Sequence, residues 1–187
     1  MSATGKRLSA IEQFRSLPEV KPALELYGGR IIQKMSPKLP HSVIQGELYT
    51  TLNLFSRPKK IGRSFIELRC EIGGNSFVFD IAFFRQDRLP VEDESDDRAD
   101  VTDAPDLVVE ILSPGQTVGE LKKKIRAAIR RGVKIGWLVT KPRKQVWILR
   151  SDYKPKVFSL GDVLSGEDIL PGFVLPVAEI FGWSAGD

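Results

Sequence analysis

The chain has 187 residues, 42% of them apolar and 28% charged, which fits one ordinary globular domain with a sizeable core. No apolar run approaches the roughly 20 residues that cross a bilayer. The opening MSATGKRLSAIEQF lacks the apolar stretch of a secretory signal, and the lone Cys70 excludes an internal disulfide or a zinc site built on cysteines.

These features predict an intracellular protein of the cytoplasm. The net charge of +4 and the pI of about 9.2 are by themselves weak evidence for a nucleic-acid partner. Their distribution says more: acids crowd residues 92–103 and bases crowd residues 122–134.

Residues 1–16 carry no pattern beyond a helical turn or two, and read as an N-terminal extension ahead of one domain over 17–187. ALELY and RIIQKM, around Gly28-Gly29, form a hairpin signal. In HSVIQGELYTTLNLFS, Ile44, Leu48, Thr51, Leu52 and Phe55 recur at helical spacing. SFIELRCEI and NSFVFDIAFF read as a second hairpin turning at Gly73-Gly74-Asn75. The acidic stretch 86–104 lacks periodicity and reads as an exposed, mobile loop.

PDLVVEIL is a nearly continuous apolar strand, the kind buried on both faces of a sheet. Thr117 and Glu120 have capping-box spacing, opening a helix that stops at Gly132. VKIGWLV and QVWILR are further strands, and the tail holds short strands before LPGFVLPVAEIF. Strand runs interleaved with two helices predict an α/β (α+β) fold, a mixed β-sheet flanked by helices.

Side chains alternate faces along a strand, so Glu110 shares a face with Asp106, Val108 and Leu112. A carboxylate inside so apolar a strand is costly to bury unless something compensates, and the same holds for Asp80 within FVFDIAFF. The bland alternative for either acid alone is a strand-end residue paired with an arginine or wetted by solvent. Together on neighbouring strands, they make a hard oxygen site suited to Mg²⁺ or Mn²⁺. On the helix after Thr117, steps of about 100° put Leu121, Ile125, Ala128 and Ile129 in one stripe, with Lys124 at one edge and Lys122 at the other. Either lysine could lean over the sheet, whereas Lys123 and Arg130 point to solvent.

Several segments together resemble one family: LPEVKPALELYGGRIIQKMSP, then His41, FVFDIAFF, APDLVVEILSPGQT, Lys124 ahead of Gly132-Val133 and Trp137-Leu138-Val139, and LPGFVLPVAEIF. It is the bacterial family named "putative restriction endonuclease", long a domain of unknown function, within the PD-(D/E)XK nuclease superfamily. The resemblance spans roughly Leu17 to Phe181.

It implies a restriction-endonuclease-like mixed sheet and a Mg²⁺-dependent (or Mn²⁺-dependent) endonuclease site acting on DNA. Asp80 and Glu110 would be metal ligands and catalytic acids, with the Ile111 carbonyl as a further candidate ligand. The motif's usual lysine position is Leu112 here, and Lys124 on the helix stands in the matching place. Glu47 resembles an accessory acid, and His41 an accessory histidine. The family's mode of action implies a homodimer. Three positions depart from the pattern: Phe79 replaces a proline, Ala128 a tyrosine, and Val133-Lys134-Ile135-Gly136-Trp137 a more usual strand sequence. A non-catalytic binding module of the same fold, or a nuclease of RNA or repair intermediates, therefore stays open at this point.

Overall fold

The computed structural model describes residues 8–91 and 100–182. Of the acidic stretch read as a loop, residues 92–99 lie outside the described residues. Among the described residues, no helix is long and apolar enough to cross a membrane.

Three sheets organise the described residues. A six-stranded sheet has the order β10 (Lys156–Phe158), β9 (Gln145–Leu149), β8 (Ile135–Thr140), β7 (Leu107–Ile111), β6 (Ile81–Arg85), β3 (Gly62–Ile66). Within it β7 and β8 run parallel and the other pairs antiparallel, so the sheet is mixed. A four-stranded sheet has the order β2 (Arg30–Gln33), β1 (Leu24–Tyr27), β5 (Asn75–Val78), β4 (Arg69–Ile72). β11 (Val163–Gly166) and β12 (Leu170–Pro176) form a ribbon.

Helices cover both faces of the large sheet. The apolar side of α2 (Leu39–Ser56), carrying Ile44, Leu48 and Leu52, joins Ile81, Phe83, Leu107, Val109, Ile111 and Trp137 in one core. Here α4 (Val177–Gly182) adds Val177 and Ile180, an element unforeseen in the sequence. On the opposite face, α3 (Val118–Ile129) packs Leu121 and Ile125 on Leu138 and Leu149. The capping box of Thr117 and Glu120 is formed as expected. α3 lies very close to β8: a Cβ at Gly136 would stand 2.2 Å from Ile125 Cγ2. Glycine at 136 thus sets the depth at which α3, and with it Lys124, sits on the sheet.

The second hairpin is not two continuous strands. Ile66 pairs with Ile81 in the large sheet and Arg69 pairs with Val78 in the small one. The register is the same on both sides, but residues 67–68 and 79–80 between them leave the ladder. Glu67 adopts the left-handed conformation (φ 49°) that a bent strand demands. The hairpin thereby passes from one sheet into the other.

Two further differences concern the ends of elements. α1 (Ala10–Arg15) is docked on the domain through buried Phe14 and an ion pair from Arg15 to Glu71. A boundary at residue 17 therefore cuts between a helix and the body that anchors it. The far end of the acidic segment also pairs: Glu71 N donates to Val101 O at 2.8 Å, and Val101 bridges to Cys70.

Candidate metal centre

The hairpin bend creates the site. Were the β6–β7 ladder to continue past Ile81–Val109, residue 79 would lie opposite Ile111. The chain bends away there instead, which leaves the Ile111 amide without a strand partner. The Asp80 side chain takes its place: Ile111 N donates to Asp80 Oδ2 at 2.7 Å. Asp80 thus stands at a break between strands, not inside one, and its carboxylate is buried for the same reason the bend exists. Gln45 of α2 pins the bend, donating to Asp80 O at 2.8 Å and to Glu67 Oε1 at 3.1 Å.

Three carboxylates and two ammonium groups meet here. Glu25, Asp80 and Glu110 are each 3% exposed and Lys124 is 2% exposed, burial that groups of this kind reach only when paired. Lys124 Nζ lies 2.6 Å from Glu110 Oε1 and 2.7 Å from Glu25 Oε1, and donates to Val78 O at 3.1 Å. Glu25 also accepts from Val78 N at 2.7 Å. Lys34 Nζ lies 2.8 Å from Asp80 Oδ1 and donates to Val78 O at 3.0 Å. His41 Nε2 lies 3.1 Å from Asp80 Oδ2, and its buried Nδ1 has no hydrogen-bond partner among the described residues. The Phe79 ring stacks on Phe77 at 5.4 Å and sits 5.5 Å beneath Lys124 Nζ.

The electrostatics follow from this packing. Burial opposes the Asp80 charge, yet Lys34 and His41 outweigh it and hold the carboxyl well below the usual carboxylate range. Burial pushes the Glu110 carboxyl up to about 8, against the pull of Lys124 and with the Asp80 charge adding to the rise. Burial opposes the Lys124 charge too, but Glu110, Glu25 and Asp80 keep it protonated above the usual lysine range.

Of the residues expected from the sequence, Asp80, Glu110, Lys124 and His41 come together. Of the two lysine candidates the structure brings in Lys124. Lys122 lies outside the site with its Nζ 3.1 Å from the centre of the Trp147 ring. Glu47 is not brought in: it lies on the exposed face of α2, while Gln45 and His41 take the inward positions of that helix.

Sequence reasoning missed Glu25, Lys34, Gln45 and Glu67. Glu25 carried the same signal that flagged Glu110, an acid between apolar residues in a strand. Lys34 carried none, because a lysine at a strand end is ordinarily solvated.

The donor set suits a hard divalent cation. All the anionic ligands are oxygens, and the carboxylates outnumber the ammonium groups, with Lys124 Nζ held 2.6 Å from Glu110 Oε1. The cavity among Glu25, Asp80, Glu110 and Lys124 is about 30 Å³, room for one small ion or water. Among the described residues no group of three His, Cys, Asp or Glu side chains stands arranged to ligate a metal. Lys34 and Lys124 lie against the carboxylates instead.

Comparisons with known proteins bear on this geometry. A family model described as "Putative restriction endonuclease" (Uma2) matches residues 11–178, taking in most of α1. A crystal structure described as that of "a putative nuclease belonging to DUF820", from Anabaena variabilis ATCC 29413, is 34% identical with a TM-score of 0.85. The match covers 95% of this chain and 99% of that one. No curated protein matches. The resemblance read from the sequence motifs is borne out, as is the expected fold, a mixed sheet flanked by helices.

Proposed function

Since this chain belongs to the Uma2 family, described as "Putative restriction endonuclease", we propose that it is a metal-dependent endonuclease hydrolysing phosphodiester bonds of DNA. The observation that carries the reading is the convergence of buried Asp80, Glu110 and Lys124 on one ion-sized cavity. So much buried charge is expensive to assemble, and strongly perturbed carboxylates of this kind gather at functional sites.

Asp80 and Glu110 would hold one Mg²⁺ or Mn²⁺ ion, with Glu25 the next carboxylate at hand. When bound, the metal supplies a water of lowered pKa and positive charge against the scissile phosphate. Lys124, fixed by Glu25 and Glu110, would stabilise charge developing on the phosphate oxygens. His41, through its unpartnered Nδ1, would take or hold a proton at the mouth of the site. A homodimer in the cytoplasm would set one such site against each strand of a duplex.

The test is titration calorimetry with Mg²⁺ and Mn²⁺ on the wild type and on Asp80→Asn with Glu110→Gln, paired with cleavage of plasmid DNA. Binding and cleavage in the wild type, both lost in the double variant, are expected. No metal binding by the wild type, with or without DNA, would leave the fold as a non-catalytic module.

A further inference from the structure

Two larger cavities adjoin the carboxylate centre, and His41 lines both. The groove of about 1010 Å³ carries Glu19, Glu67, Asp80 and Asp100 alongside its lysines and arginine. The other cavity, of about 510 Å³, is walled by apolar Ile44, Ile111, Leu112 and Pro142, with Lys38 and Lys141 as its lysines and, among the described residues, no acid in its lining. This second volume falls within the range that takes an organic ligand. Its apolar wall suits the face of a planar ring, and its two lysines suit phosphate charge. Ile111 ties it to the chemistry, because the same residue lines this cavity and donates its amide to Asp80.

A nucleic-acid strand offers both features at once, an aromatic base and flanking phosphates, but a paired base has no free face to present. An enzyme that holds a base in such a pocket takes it out of the stack or starts from a single strand. We infer that this cavity receives one unpaired nucleobase of the strand being cut, with Lys38 and Lys141 on the neighbouring phosphates. The preferred substrate is then single-stranded or locally unpaired nucleic acid, and intact duplex is a poorer one. This rests on the nuclease reading above and narrows it.

The experiment measures fluorescence anisotropy without metal, using the full chain and one oligonucleotide sequence as single strand and as duplex. A parallel series carries 2-aminopurine at successive positions. The fillers are Leu112→Trp and, as a control for misfolding at a less buried position, Pro142→Trp. Wild type should bind the single strand about 10-fold more tightly than the duplex, with a fluorescence change confined to one or two positions. Both fillers should bring that ratio near one, abolish the local fluorescence change, and leave duplex affinity unaltered. A ratio that the fillers leave intact, or a wild-type preference for duplex, would overturn the base-pocket assignment alone. Failure of the wild type to bind either form would overturn this inference, while the metal titration and plasmid cleavage above decide the nuclease reading separately.

Discussion

Lys34 Nζ sits 2.8 Å from Asp80 Oδ1, the carboxylate oxygen that His41 and the Ile111 amide leave free. A metal ion approaching Asp80 therefore meets a resident cation. Lys34→Met should strengthen Mn²⁺ binding by about 10-fold, since a competing charge leaves the same carboxylate. Without metal the variant should lose about 3 kcal/mol of stability, the cost of a buried charge stripped of its partner. Mn²⁺ should then restore part of its thermal stability. Calorimetry and thermal unfolding read both effects, and an unchanged Mn²⁺ affinity would put the metal away from Asp80.

Lys124 is the common partner of Glu25 and Glu110. Lys124→Met removes the cation that holds Glu25 and Glu110 together and strips the buried Glu25 carboxylate of its ion pair, so it should destabilise the apo chain by roughly 3–5 kcal/mol. Lys122→Met, on the same helix but with its Nζ over Trp147, should cost about 1 kcal/mol or less, the usual worth of an exposed cation–π contact. Urea unfolding of the two variants gives the comparison, and equal losses would show that Lys124 is not the keystone of the cluster.

Most of the fold was legible because local rules and global packing agree along the chain. The Thr117 cap, the apolar run of β7 and the stripe of α3 each point to one structure. The site was legible only where a charge broke an apolar pattern, as Asp80 and Glu110 do. Lys124 was half legible: helical geometry narrowed the choice to it or Lys122, but the depth of α3 depends on Gly136, which no periodicity reveals. The hairpin bend was hidden because its register is unbroken, and Asp80 therefore looked like a mid-strand residue. Glu47 misled by standing in the right helix on the wrong face, two residues beyond the buried Gln45.

α1 lies ahead of the expected domain start yet buries Phe14 to 7% exposure and pairs Arg15 with Glu71. Phe14→Ala should cost about 3 kcal/mol by loss of aromatic burial and the cavity left behind. Arg15→Ala removes an arginine side chain, 57% exposed, from the buried Glu71 carboxylate, and should also lower the denaturant midpoint. Denaturant midpoints decide this, and a neutral Phe14→Ala would restore the boundary at residue 17.

The raised Glu110 carboxyl makes stability depend on pH with a definite sign. Unfolded, it loses its proton near 4.5; folded, burial keeps that proton up to about 8, against the pull of Lys124. Between those values the folded chain binds a proton that the unfolded chain has released, so Glu110 makes stability fall as pH rises through the window and level off above it. Asp80 acts oppositely, because its carboxyl is held down in the fold. Its contribution is complete above about pH 4, near its unfolded value, and is lost on further acidification. Glu110→Gln should therefore flatten the decline between about pH 5 and pH 8 while sparing the acid limb. Mn²⁺ affinity in the wild type should climb across the same interval, as the proton that competes for the ligand is given up. Urea midpoints and calorimetry over that range test the pair of effects. A decline that persists in Glu110→Gln would assign the titration to another group and remove the case for Glu110 as the proton-competing ligand.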